Sequence, residues 1–167
     1  MKNAMKSIIP NFNTQRMLTE YITQLYEPTA ERALLMSKNQ FNAAFELGSW
    51  KKKIASRFST LKILEVRLHG LHGDVVKIGT ELKFSVRIEC SELEPDDILV
   101  ELIILIGPHD QEYSCTTIPF VNKENHHYYY NVTFTPTSTG TIQYGVRVLP
   151  HHPALGSKYE TGLVFWS

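Results

Sequence analysis

The sequence is poor in the features that mark a self-contained reaction centre. Its nine glycines are scattered, and no GxGxxG or Walker pattern cradles a phosphate. No GxSxG elbow is present. There are two cysteines, Cys90 and Cys115, and neither has a CxxC partner, which excludes a ribbon-type zinc site. A disulfide between them can be drawn if their strands face each other, but a domain of this size needs no staple, so they read as reduced thiols. No apolar run approaches the ~20 residues of a membrane span. Met1 to Pro10 carries lysines without a long apolar core, which argues against a secretory signal. Seventeen basic residues balance seventeen acidic ones, so no electrostatic case exists for nucleic acid or an anionic membrane as partner.

What is present is the material of a folded domain with an appendage: 167 residues, 43% apolar and 11% aromatic. The chain divides near residue 60. Before it the apolar spacing is helical. Asn13 is an N-cap candidate, and Met17, Leu18, Tyr21, Ile22, Leu25 and Tyr26 recur on one helical face. Pro28 is expected to end that helix, and Thr29 to cap a second one carrying Leu34, Leu35 and Met36. A further stretch from about Gln40 carries Phe41, Ala44, Phe45 and Leu47, with Gly48 expected to interrupt or bend it before Trp50. Lys51, Lys52 and Lys53 read as a solvated face.

Beyond Leu61 the period becomes mostly two. Ile63–Leu68 reads as a strand. Leu82, Phe84, Val86 and Ile88 alternate with Lys83, Ser85, Arg87 and Glu89, the pattern of a half-buried strand. Glu94-Pro95-Asp96-Asp97 is a turn, and Ile98–Ile106 reads as a central strand, broken by Gly107-Pro108. Further strands are expected over Tyr113–Phe120, over His126–Thr135 with Tyr128, Tyr130, Val132 and Phe134 on one face, over Thr141–Leu149 and over Gly162–Trp166. Strands without intervening helices cannot make a parallel α/β sheet. The fold class is therefore mainly β: an immunoglobulin-like antiparallel β-sandwich preceded by an N-terminal α-helical segment. Tyr144, soon after the turn at Gly140, matches the corner tyrosine of such sandwiches.

Candidate chemistry is sparse. A metal site can be drawn from His69, His72, His151 and His152, and His126-His127 is a further pair. Neighbours in a strand point to opposite faces, however, so these read as ordinary loop or surface histidines. Asp96 and Asp97 read as turn residues rather than as paired catalytic carboxylates. Asn131-Val132-Thr133 matches a glycosylation sequon but lies inside a strand pattern. Of the consecutive Tyr128, Tyr129 and Tyr130 at least one must face outward, and with Tyr159 and Trp166 they are the candidates for a sugar-stacking platform against plain packing.

Several motifs in order resemble one family. Phe12-Asn13-Thr14-Gln15-Arg16-Met17, then Tyr21 and Tyr26-Glu27-Pro28, resemble the end of the catalytic part of the shorter bacterial and archaeal α-glucan phosphorylases. Trp50-Lys51 fits the helix that follows. Tyr144-Gly145-Val146-Arg147-Val148-Leu149-Pro150-His151-His152-Pro153 and Gly162-Leu163-Val164-Phe165-Trp166 resemble the family's C-terminal signature. Phe58 departs from it, standing where a tryptophan is expected. The resemblance implies residues 1–58 as the end of a catalytic lobe and 59–167 as an accessory β-sandwich. The parent glycosyltransferase would move a terminal glucose from an α-1,4-glucan to phosphate, using pyridoxal phosphate held by a lysine in a Gly/Ser/Thr-rich motif. Met1-Lys2 and Met5-Lys6 lack that context, so no catalytic, cofactor-binding or metal residue is assigned to this chain. The thiols read as those of a cytoplasmic protein, and the apolar helical face at Met17, Leu18, Tyr21, Ile22, Leu25 and Tyr26 needs cover, from the catalytic lobes the resemblance implies or from a second copy through residues 13–47; α-glucan is a further candidate partner. The alternative is a stand-alone β-sandwich module for glucan or protein binding.

Overall fold

Asn13 caps helix α1 (Thr14–Tyr21), where its side chain accepts from the Arg16 amide at 2.8 Å. The computed structural model describes residue 6 and residues 12–71, 75–107 and 112–167. The segment Met1 to Pro10 (apart from Lys6), His72 and the break at Pro108 therefore lie outside the described residues. The chain forms two units, residues 1–49 and 50–167.

In the first unit a π-helical turn, Ile22–Tyr26, links α1 to α2 (Glu27–Arg57). Two expectations are corrected here. Pro28 does not end a helix and Thr29 does not cap one: both continue a helical run that passes without a break from the π turn, where the Glu27 amide donates to Ile22 O, into α2. Gly48 does not interrupt α2. The interruption lies at Lys38–Phe41, where Asn39, Gln40 and Phe41 have φ of 50°, 56° and 64°, dividing α2 into two α-helical pieces. Met17, Leu18, Tyr21, Ile22, Leu25 and Tyr26 are all exposed, as are Leu34, Leu35, Phe41 and Phe45.

The second unit takes in the last turns of α2, from Trp50, and two four-stranded antiparallel sheets. The strands are β1 (Lys62–His69), β2 (Leu82–Glu89), β3 (Ile98–Ile106), β4 (Glu112–Thr117), β5 (Phe120–Glu124), β6 (His127–Phe134), β7 (Ile142–Pro150) and β8 (Phe165–Trp166). One sheet has the order β1-β2-β6-β5 and the other β4-β3-β7-β8. The period-two residues of β2, Leu82, Phe84, Val86 and Ile88, meet Val100, Leu102 and Ile104 of β3 and Val146 and Val148 of β7 in one core, which Ile54 and Phe58 of the helical end extend. Phe58 is thus a core side chain, 5% exposed. Burying each such side chain stabilises the fold by roughly 1.5–3 kcal/mol.

The stretch Tyr113–Phe120 is not one strand. Ile118 and Pro119 carry the chain from one sheet to the other, so β4 pairs with β3 and β5 pairs with β6. A proline without an N–H cannot continue a ladder. The last strand is shorter than Gly162–Trp166, with Phe165 and Trp166 alone pairing with β7. At one end of the sandwich Gly140 (φ 150°) lies against Gly107, where a Cβ would stand 2.6 Å from the Gly107 Cα. Tyr144 is half exposed and sets its ring edge-on to Phe84 at 5.1 Å.

Candidate functional site

The central strand β3 contains one charged residue, Glu101, in an otherwise apolar run. The pleat turns it to the outer face, away from the core, where its cross-strand partner on β7 is Arg147. The Arg147 Nε donates to Glu101 Oε2 at 2.7 Å, and Lys158 Nζ donates to Oε1 at 2.7 Å. Arg147 also donates to the Tyr159 hydroxyl at 2.9 Å and touches Cys115 Sγ at 3.7 Å. Its guanidinium lies 5.5 Å from the Tyr159 ring centre and 5.6 Å from that of Trp166. Burial pushes the Glu101 carboxyl up, but the hydrogen bonds from Lys158 and Arg147 outweigh it, and the net shift is downward. Lys158 is held above the ordinary lysine value by its hydrogen bond to Glu101. All three groups are therefore charged at neutral pH.

A second acidic residue joins the helix to the sandwich. Asp97, in the turn Pro95–Asp97, accepts from Trp50 Nε1 at 2.7 Å, from Lys53 Nζ at 2.5 Å and from the Glu94 amide at 2.9 Å. Burial raises its carboxyl, yet Lys53, the Glu94 amide and Trp50 together leave it lowered. Trp50 also packs on the His152 ring at 4.9 Å. Lys51 pairs with Glu160 at 2.6 Å, so two of the three consecutive lysines anchor this joint.

The histidines of the imagined metal site do not converge. His69 ends β1 on one sheet, His72 is outside the described residues, and His151 and His152 follow β7 on the other sheet. The His152 Nδ1 accepts from the Ala154 amide at 3.1 Å, and the His151 amide bonds to Asp97 O at 2.8 Å. Among the described residues no cluster of three or more His, Cys, Asp or Glu could hold a metal. His126 and His127 belong to the β5–β6 hairpin, turned by Asn125 (φ 55°). Asp96 is exposed beside the buried Asp97. Cys90 is buried and Cys115 half-buried, both free, and burial raises the Cys90 thiol. Asn131 lies within β6, opposite Ser85 of β2.

The tyrosines divide by pleat. Tyr128 and Tyr130 are buried, with Tyr128 donating to Leu93 O at 2.5 Å, while Tyr129 faces outward on the β1-β2-β6-β5 sheet. There it lies in a shallow trough of about 370 Å³. Tyr159 and Trp166 flank Arg147 on the other sheet. Trp166 also walls a smaller cleft of about 220 Å³ beside Gly145 and Gln143. A larger hollow of about 450 Å³ opens between Leu68, Phe84, Ile142 and Tyr144, with Gly140 and Thr141 also in its lining. None of the three is lined by a lysine.

Residues 59–167 match the family described as "Glycogen phosphorylase C-terminal domain". The chain belongs to that family. The maltodextrin phosphorylase of Thermococcus litoralis is 28% identical over 176 residues, covering 99% of this chain and 20% of that protein. The glycogen phosphorylase of Mycobacterium tuberculosis is 26% identical over 168 residues, covering 98% of this chain and 19% of that protein. The chain thus spans about a fifth of the length of the curated relatives it matches. Within the family region, the sequence alone singled out Arg147 only as part of a motif and did not single out Glu101 or Lys158. The available signal was the lone charge inside an apolar strand.

Proposed function

We propose that this chain is the non-catalytic end of an α-glucan phosphorylase, serving as an accessory and assembly region for catalytic lobes that carry out phosphorolysis to glucose 1-phosphate. The observation that carries this reading is the family match over residues 59–167 together with relatives about five times the chain's length that are named for maltodextrin and glycogen. The two lysines tied into the carboxylate clusters, Lys158 and Lys53, do not suit an imine with pyridoxal phosphate. Its lysine must give up a proton to form an imine, whereas Lys158 is committed to Glu101 and pushed further toward its charged form. Lys53 is likewise bound to Asp97. In this reading the cofactor belongs to the lobes.

The exposed apolar side chains of α1 and the turn after it need cover, and in a longer phosphorylase the catalytic lobes supply it. Residues 1–58 then continue a lobe, and residues 59–167 form the appended domain. We read that domain as immunoglobulin-like. Support comes from the strand order, in which β1-β2-β6-β5 opposed to β4-β3-β7-β8 corresponds to an ABED sheet opposed to CFG with one added strand. Two free thiols suit a reducing compartment, the cytoplasm. No described helix is long and apolar enough to cross a membrane.

The test is a chimera. The stretch of the Thermococcus maltodextrin phosphorylase that aligns with this chain is deleted, or replaced by this chain. The reading expects the deletion to lose soluble, active enzyme and the replacement to restore it. A deletion that keeps full activity and assembly would remove the accessory role.

A further inference from the structure

Register across the β1-β2-β6-β5 sheet aligns one outward polar residue from each of its four strands. Glu65 is opposite Arg87, Arg87 is opposite Tyr129, and Tyr129 is opposite Asn122. A second row sets Arg67 opposite Ser85 and Ser85 opposite Asn131. With strands about 4.8 Å apart, the first row crosses roughly 14 Å of sheet. The two rows form the floor of the 370 Å³ trough.

We propose that this trough is an α-glucan-binding face, with Tyr129 as the stacking ring and Arg87, Asn122 and Asn131 as the hydrogen-bonding groups. The choice of glucan rests on the reading of the chain as a phosphorylase domain; the row chemistry supplies the case for a polyhydroxyl ligand. Sugar hydroxyls both donate and accept. The trough matches them with a carboxylate that accepts, guanidinium groups that donate, and amides and a hydroxyl that do both. Glu65 pairs with Arg67 and lies 3.5 Å from Arg87, so one carboxylate is shared by two guanidinium groups. Arg87 is under-used by the protein: its one ion pair is that long contact, and its Nε has no hydrogen-bond partner among the described residues. Its side chain is 42% exposed as a whole, which leaves room for a terminal N–H to donate to a hydroxyl. The opposite sheet differs. There Glu101, Arg147 and Lys158 satisfy one another, and the Tyr159 and Trp166 rings already carry the Arg147 cation.

The experiment is native electrophoresis of the whole chain in gels with and without glycogen, with maltoheptaose and cellohexaose as competitors. Glycogen is expected to retard the chain, and maltoheptaose but not cellohexaose to release it. Tyr129→Ala is expected to weaken binding by about tenfold or more, while Trp166→Ala leaves it unchanged. If Tyr129→Ala fails to fold, Asn122→Ala on the exposed edge strand decides, with weakened retardation expected. Equal mobility of the wild type in both gels overturns the proposal. So does wild-type retardation in a folded Tyr129→Ala, or in Asn122→Ala where that variant decides, and so does loss of retardation in Trp166→Ala. An active chimera whose chain shows no glycogen retardation removes this face alone and leaves the accessory role standing.

Discussion

Glu101 and Arg147 face each other across the β3–β7 ladder on the outer side of the sheet, 46 residues apart in sequence and joined at 2.7 Å. Both are buried, so the pair is desolvated, and removing one partner strands the other's charge. Glu101→Ala is expected to destabilise the chain by about 3–5 kcal/mol. A paired replacement, Glu101→Leu with Arg147→Leu, is expected to recover most of that loss, because Lys158 is partly exposed and can solvate itself. Urea unfolding of the three proteins measures this. A Glu101→Ala midpoint equal to wild type would mean the pair is not desolvated in solution.

The helix is fastened to the sandwich through Asp97. Trp50→Phe keeps the ring contact with His152 but deletes the N–H that donates to the carboxylate. A hydrogen bond to a charged group contributes about 1.5–3 kcal/mol, so a loss in that range is expected in thermal melts. Lys53 and the Glu94 amide remain to hold Asp97, so the fold itself should survive.

Acid should find the same two carboxylates. Asp97 and Glu101 both titrate below their ordinary values in the folded chain, because their hydrogen bonds outweigh the opposing effect of burial. A lowered folded-state pKa gives stability that is complete above the unfolded value of about 4 and is lost as pH falls through the folded value. Stability measured by urea is expected to be level from about pH 7 to 5 and to fall on further acidification. Asp97→Asn with Glu101→Gln should be less stable near neutrality and flatter in acid. An unchanged acid limb in that variant would assign the loss to other groups.

Elements set by local pattern were legible in the sequence, and relationships set by register were not. The alternation Leu82–Ile88 declared its buried face, and Ile98–Ile106 its central place, because side-chain period follows directly from backbone pleat. The split of Tyr128, Tyr129 and Tyr130 between core and surface followed from the same rule. Pro28 misled because proline usually breaks a helix interior, whereas here it directly follows a π turn, which changes the backbone pairing around it. Gly48 misled because an isolated glycine costs an α-helix only ~1 kcal/mol, which neighbouring contacts can offset. Tyr113–Phe120 hid a change of sheet at Ile118-Pro119, since period two continues on both sides of it. The rows Glu65-Arg87-Tyr129-Asn122 and Glu101-Arg147 join residues dozens of positions apart, and no local window contains them.

The exposed helical face gives a prediction about assembly. Without lobes to cover Leu18, Tyr21, Ile22 and Leu25, the chain alone is expected to self-associate at micromolar concentration through residues 13–47. Sedimentation velocity should show a species larger than a monomer. Leu18→Glu with Leu25→Glu should shift it to monomer without lowering the sandwich's melting temperature. A clean wild-type monomer would leave this face without a partner of its own kind.

The most direct measurement is turnover by the chain itself. The purified protein is incubated with pyridoxal phosphate, inorganic phosphate and maltodextrin, and glucose 1-phosphate is measured alongside the absorbance of a lysine imine. The account predicts neither product nor imine. Glucose 1-phosphate released by this polypeptide unaided, or the cofactor held on one of its lysines, would contradict it.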